Sequence, residues 1–191
     1  MNLLYPLILG SKSPRRQELL RQAGFSFMVE SMDTDESYPA DLPADAVAAY
    51  LAQKKAEAFA PKPGQLLLTA DTTVIVDEYI LGKPADEKEA VQMLRQLSGR
   101  SHRVVSGICL RHPEGSITAD DCTEVFFRQL KEEEITFYIR HFKPFDKAGA
   151  YGIQEWIGMI GIERIHGSYY TVMGLPLHRV YKELEAFFNP S

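Results

Sequence analysis

Only two cysteines, Cys109 and Cys122, occur among the 191 residues. With no paired spacing and no histidines at ligand distance, they indicate neither a disulfide framework nor a zinc site, and a reducing cytoplasm is the expected compartment. No run of about 18 apolar residues exists, so no membrane-spanning helix is expected. Residues 1–9 are apolar but lack a positive n-region, contain Pro6 and run directly into Lys12, Arg15 and Arg16, the wrong flanks for a signal peptide. Excess positive charge is missing too: 21 Lys and Arg stand against 26 Asp and Glu, a formal net of −5. No global field therefore draws the chain to nucleic acid or anionic lipid, and any basic site must be local. There is no internal repeat, linker or low-complexity tract. What is present is an average globular composition, 45% hydrophobic and 25% charged. It suits one domain over residues 1–191, or one compact unit with two lobes.

Strand and helix patterns then alternate. Residues 7–10 read as a short buried strand, and Ser13-Pro14 as the cap and first position of a helix to about Ala23, ended by Gly24. A second strand over 25–29 precedes the acidic loop Asp33-Thr34-Asp35-Glu36, and a helix follows Pro43. Residues 66–76 predict a strand interrupted around Asp71, with a tight turn at Asp77-Glu78 before residues 79–81. Asp86 and Glu89 form a capping-box-like start for a helix through Leu97. Runs 102–110 and 117–127 predict a hairpin across His112-Pro113-Glu114-Gly115. Residues 131–142 suit a helix, 146–154 a glycine-bearing loop and 160–173 a strand. Leu177, Val180, Tyr181, Leu184 and Phe188 fall at helical spacing after Pro176, an apolar stripe that must pack on a sheet. The whole predicts an α/β protein with a twisted central sheet flanked by helices.

The segment Gly10-Ser11-Lys12-Ser13-Pro14-Arg15-Arg16 gathers three cations at a helix start. The macrodipole disfavours each there by about 0.3–1 kcal/mol, so something negative should compensate. A strand, a Gly/Ser turn and a helix N-terminus make an anion site for phosphate oxygens; the plainer reading is a Ser-capped surface helix. The P-loop pattern is absent. Ala70-Asp71-Thr72-Thr73 sets a carboxylate and two hydroxyls in an apolar strand. Asp71 needs a metal, a cation or a structural hydrogen-bond donor, structural capping being the plainer reading. Asp33, Asp35 and Glu36 offer hard oxygens to Mg²⁺, although acidic loops are usually only solvated. Lys54-Lys55, Gly82-Lys83-Pro84 and Arg164 resemble further parts of a phosphate site. Lys54 and Lys55 flank opposite sides of the stripe Val47, Leu51 and Phe59, and periodicity does not choose between them. Pro84 holds Lys83 extended. In residues 146–154 two glycines allow unusual backbone angles or close ligand approach. Gln154 offers an acceptor and donors to a base edge, fitting uracil or thymine, while a flipped amide fits cytosine.

Together these segments resemble the Maf family of nucleotide pyrophosphatases, named for septum formation, over nearly the full chain. The resemblance rests on Ser11-Lys12-Ser13-Pro14-Arg15-Arg16, Ala70-Asp71-Thr72, Gly82-Lys83-Pro84, Asp146 through Gln154, Gly167-Ser168-Tyr169-Tyr170 and Gly174-Leu175-Pro176. It implies a fold like that of inosine-triphosphate pyrophosphatases, with a cleft between two lobes, often as a homodimer. It also implies hydrolysis of a nucleoside triphosphate to monophosphate and pyrophosphate with a divalent cation, Mg²⁺ or Mn²⁺, as a house-cleaning activity. Asp71-Thr72 with Gly152-Ile153-Gln154 matches the branch acting on dTTP and UTP; the 7-methyl-GTP branch typically carries Ser-Asp-Gln. On that basis Ser11, Ser13, Arg15, Arg16 and Lys83 are expected to hold phosphates with Lys55 in support. Glu36 and Asp71 are expected to share the metal, Asp71 being the proton acceptor. Arg15, Thr72 and Gln154 correspond to the family's specificity positions. Lys12 departs from the usual small residue, and Asp77-Glu78 from the commoner glycine-containing turn. The competing expectation is a regulatory protein of septation that binds nucleotide without turnover. A nucleic-acid module fits less well, since the basic residues cluster without interleaved aromatics.

Overall fold

The computed structural model describes residues 2–30, 33–59, 62–112 and 114–189. Pro113, in the expected hairpin turn, lies outside them. Two compact units make up the chain: Met1–Thr72, Ser106–Asp121 and Gly174–Ser191 form the first, and Thr73–Val105 and Cys122–Met173 the second. The strands form a seven-stranded mixed sheet in the order β2-β1-β3-β5-β6-β7, with β4 pairing β3. Helices accompany it, so the chain is an α/β protein as expected. Among the described residues no helix is long and apolar enough to cross a membrane.

In the first unit, β1 (Leu7–Leu9) lies parallel to both β2 (Phe27–Val29) and β3 (Leu66–Val76). Parallel pairing requires a crossover, and α1 (Pro14–Gln22) supplies it between β1 and β2. Ser13 caps α1 as expected, its Oγ accepting from the Arg16 N–H at 3.5 Å. Helix α2 (Ala44–Glu57) follows Pro43 and buries Val47, Ala48, Leu51, Ala52 and Ala56. Two contacts fix it. Thr69 Oγ1 donates to the Ala52 carbonyl at 2.6 Å. Gly107 of β5 (Ser101–His112) has no room for a Cβ, which would strike the Ala48-Ala49 backbone. The expected interruption of β3 at Asp71 is not there: the strand is continuous from Leu66 to Val76. Polar side chains do not break a strand when partners meet them, and both Asp71 and Thr72 have partners. Of the terminal stripe, Val180 and Leu184 of α7 (Leu177–Leu184) are buried, whereas Phe188 follows a 3₁₀ turn, stacks on Phe25 and meets Tyr181 edge to face.

The second unit has its own core, in which Leu94, Leu97, Val104, Val125, Ile135, Tyr138 and Ile157 are buried together. Strand β4 (Tyr79–Leu81) returns antiparallel on β3 with Val76 opposite Tyr79. The two connecting residues, Asp77 and Glu78, have φ of 47° and 65°. That is the left-handed pair a two-residue hairpin demands, here without glycine. Arg100 holds the Asp77 carboxylate and Arg103 the Glu78 carboxylate. Helix α3 (Glu87–Leu97) is capped by Asp86, whose carboxylate accepts from the Glu89 N–H at 2.8 Å. The Glu89 side chain accepts from Ala85 rather than from Asp86, so the box is displaced by one residue. Strand β6 (Gly115–Phe127) and helix α4 (Glu132–Phe142) fall where expected.

The expected strand over 160–173 is corrected to three elements: α5 (Trp156–Gly161), β7 (Ile162–His166) and α6 (Tyr169–Met173). Isoleucines, aromatics and threonine in that stretch carry a strand signature, but contacts remote in sequence override it. Gly158 packs so closely on the Ile153 backbone that a Cβ would collide with it, which seats the helical turn. After β7, the Thr123 hydroxyl accepts from the Ser168 N–H at 2.8 Å and donates to the Ser168 carbonyl at 3.1 Å, closing the strand into α6.

Candidate active site

Of the expected phosphate-binding residues, Ser11, Ser13, Arg15 and Arg16 follow the carboxyl end of the parallel strand β1, where open α/β sheets hold ligands. Gly10 continues β1, its N–H donating to the Leu68 carbonyl at 2.8 Å. Ser11 is buried, and its Oγ accepts from the Ser13 N–H at 3.3 Å and from Arg16 Nη1 at 3.4 Å. The first turn of α1 carries no acidic residue, and Arg15 there is half-buried.

Arg16 turns inward. Its Nε donates to the Gly174 carbonyl at 2.8 Å, Nη1 to the Ala70 carbonyl at 2.8 Å and Nη2 to the Thr72 hydroxyl at 3.1 Å. Burial lowers the guanidinium's pKa from its ordinary value, and Arg15 adds to this, while the charges of Asp71 and Glu36 oppose it. Thr72 lies 2.9 Å from the hydroxyl of the fully buried Ser106. Thus α1, β3, β5 and the segment before α7 converge on one hydroxyl.

Next to it, Lys55 resolves the ambiguity that helical spacing left. Its Nζ donates to Asp71 Oδ1 at 2.5 Å and to Glu36 Oε1 at 2.9 Å, with the Lys55 and Asp71 side chains largely buried. Lys54 points elsewhere, donating to Asp35 Oδ2 at 2.9 Å and to the Ser37 carbonyl at 2.7 Å. Asp35 also accepts from Ser37, and the Ser37 and Lys54 hydrogen bonds hold its pKa down to about 2. Asp33 pairs with Lys12 on the surface at 3.1 Å. The acidic loop therefore divides: Asp33 and Asp35 tie it to lysines, and Glu36 joins Asp71.

Two carboxylates converging on one ammonium mark a place already suited to positive charge. Their oxygens are the hard donors that Mg²⁺ and Mn²⁺ take, with substrate phosphates and water completing the set. Among the described residues no group of three or more His, Cys, Asp or Glu is placed to hold a metal ion, so the protein's carboxylates here number two and substrate phosphates would have to supply other oxygens.

Lys83 and Gln154 belong to the second unit. Lys83 is exposed between Gly82 and the buried Pro84, and the Gly82 carbonyl accepts from the Gly149 N–H at 3.0 Å. A 3₁₀ turn, Pro144–Asp146, leads into the expected loop over 146–154, and a second, Ala148–Ala150, lies within it. Gln154 is half-buried, and its carboxamide oxygen is buried with no hydrogen-bond partner among the described residues. Arg164 of β7 lies over the Phe126 ring, 4.0 Å from its centre. Sequence reasoning missed Ser106 and the Gly174 carbonyl; a serine inside the apolar run Val104-Val105-Ser106-Gly107-Ile108 was the available signal for the first.

Comparison with known proteins agrees with the motifs. The profile of the family described as Maf-like protein matches residues 6–187. A "dTTP/UTP pyrophosphatase" of Porphyromonas gingivalis is 51% identical over 189 residues, 96% of this chain and 94% of that protein. One of the same name from Bacteroides thetaiotaomicron is 48% identical over 184 residues, 95% of each chain. Among solved structures, a HAM1 protein from Coxiella burnetii is similar at a TM-score of 0.48 and 16% identity, covering 94% of this chain and 99% of that one. By the extent of the profile match and the identity of these relatives along nearly its full length, the chain belongs to the Maf-like protein family.

Proposed function

We propose that this protein is a nucleoside triphosphate pyrophosphatase that hydrolyses dTTP and UTP to the nucleoside monophosphate and pyrophosphate. The observation that carries the reading is the Glu36–Lys55–Asp71 cluster beside a cationic helix start, in a chain whose relatives bear that activity in their names. A nucleoside triphosphate brings about four negative charges, and its hydrolysis asks the protein chiefly for positioning, charge neutralisation and water activation. Asp71 takes the proton as a water oxygen bonds to the α-phosphorus and the bond to the β-phosphate bridging oxygen breaks, releasing pyrophosphate. Lys55 fixes one oxygen of Asp71 and so orients the other. Ser11, Ser13 and Arg15 border the phosphate-binding turn and Arg16 aligns Thr72; the family resemblance alone gives Lys83 a phosphate role. Glu36 and Asp71 would hold Mg²⁺ or Mn²⁺, which when bound neutralises phosphate charge. The family resemblance alone supports a cytoplasmic house-cleaning role and a homodimer.

Gln154 reads the pyrimidine edge in this account, its unpartnered carboxamide oxygen accepting the N–H of uracil or thymine. Gln154→Ala should reduce the preference for dTTP and UTP over CTP and purine triphosphates by about tenfold or more, as loss of a polar contact to a base does. Pyrophosphate release from each triphosphate measures this, and an unchanged ranking rejects the base-reading role.

A further inference from the structure

Gln154 sits at a corner of a tight turn in the second unit. The turn spans Gly152 to Glu155 and is closed by the Glu155 N–H donating to the Gly152 carbonyl at 3.0 Å. The Tyr138 hydroxyl holds both of its ends: it accepts from the Gly152 N–H at 3.0 Å and donates to Glu155 Oε2 in a short hydrogen bond. The other Glu155 oxygen, Oε1, meets Lys147 Nζ at 3.1 Å, and Lys147 in turn donates to Asp146 Oδ1 at 2.7 Å. Asp146 is exposed, but Tyr138, Lys147 and Glu155 are not surface groups. Tyr138 is fully buried and the Lys147 side chain is 9% exposed. Burial and the bond to Glu155 raise the Tyr138 pKa, which keeps the phenol a donor. Between the clamped ends, Ile153 is anchored in the core, leaving Gln154 at the corner beside it. A lysine–carboxylate pair this little exposed is costly to desolvate and adds little net stability, so a local positioning task is the better account of it.

We propose that Tyr138, together with Glu155 and Lys147, is a positioning device for base discrimination: by tying both ends of the turn it sets where the Gln154 carboxamide meets a pyrimidine edge. This rests on the base-reading role given to Gln154. None of the three residues touches the reacting phosphates in this scheme, so the effect belongs in KM and in substrate ranking rather than in kcat.

The test is a double-mutant cycle on the full-length protein, with pyrophosphate release from dTTP, UTP, CTP and dGTP. Tyr138→Phe keeps the ring on Phe142 and removes only the hydroxyl. It should raise KM for dTTP about tenfold, lower the dTTP-to-CTP preference by a similar factor and leave kcat within about twofold. In the Gln154→Ala background the same change should alter the preference less than about twofold, because the two act as one unit. Glu155→Gln, which still accepts the Tyr138 proton, should retain more discrimination than Glu155→Ala. If Tyr138→Phe does not fold, Lys147→Met takes its place with the same expected split. A lowered melting temperature with unchanged KM and ranking overturns the proposal, as do additive effects in the double variant. If Gln154→Ala itself leaves the ranking unchanged, the base-reading role falls and the clamp falls with it; a change in Gln154→Ala but none in Tyr138→Phe removes the clamp alone.

Discussion

Asp71→Asn should lower kcat for dTTP by a hundredfold to ten-thousandfold, roughly the contribution of a positioned general base. The substitution is nearly isosteric, and an amide at this place still offers Lys55 an oxygen, while Lys55 retains Glu36. The protein should therefore keep its circular dichroism spectrum and unfold cooperatively, so that lost turnover cannot be ascribed to lost structure. What the amide cannot do is take a proton from water at neutral pH. A variant that is folded and turns over within tenfold of the parent would remove Asp71 from the reaction and return it to the plainer role of a capped strand residue.

Arg16→Met has the second large expected effect, and it is on stability first. The guanidinium serves the carbonyls of Ala70 and Gly174 and the hydroxyls of Thr72 and Ser11. Methionine fills similar space and donates nothing, so the Ala70 and Gly174 carbonyls both lose this donor, Gly174 keeping the Thr72 hydroxyl at 3.4 Å. At about 1–3 kcal/mol for each group that loses its donor, the loss should be roughly 3 kcal/mol, read as a lower urea midpoint at unchanged slope. Thr72 loses its donor in the same stroke, so kcat/KM should also fall, by about tenfold to a hundredfold, as misplacement of a substrate-facing group does. Arg16→Lys restores the charge but not the planar fork, and most of the stability should stay lost. A change within about 0.5 kcal/mol, typical of a plain surface site, would contradict this reading of Arg16.

Local chemistry was legible in the sequence where a residue acts on its own neighbours. The Ser13 cap, the Pro43 helix start, the Asp86 cap and the Asp77-Glu78 turn each lie where short-range hydrogen bonding and backbone preference put them. The candidate site was legible as residue types, because cations at a helix start and a carboxylate in an apolar strand are both costly without a partner. Partner choice was not legible. Lys54 and Lys55 are adjacent, and it is the packing of α2 beside β3 together with the path of the acidic loop that gives Asp71 and Glu36 to Lys55 and Asp35 to Lys54. The continuity of β3 through Asp71 depends on that same lysine, fixed by a helix 16 residues away in sequence. Strand propensity over 160–173 failed because two long-range fits, Gly158 on Ile153 and Thr123 on Ser168, set the backbone there. The Tyr138 clamp was hidden for a different reason: in the sequence it is one more aromatic in an apolar helix stripe, and its hydroxyl acquires meaning only from the turn it reaches.

The most direct test of the central claim is product analysis with the purified protein in ¹⁸O-labelled water, across dTTP, UTP, CTP, 5-methyl-UTP and 7-methyl-GTP, with and without Mg²⁺ or Mn²⁺. The account predicts metal-dependent turnover of dTTP and UTP to monophosphate and pyrophosphate, with the label in the monophosphate because water attacks the α-phosphorus. Tight binding without turnover, or label found in the pyrophosphate, would contradict it; the first of these would make the protein a nucleotide-binding regulator instead.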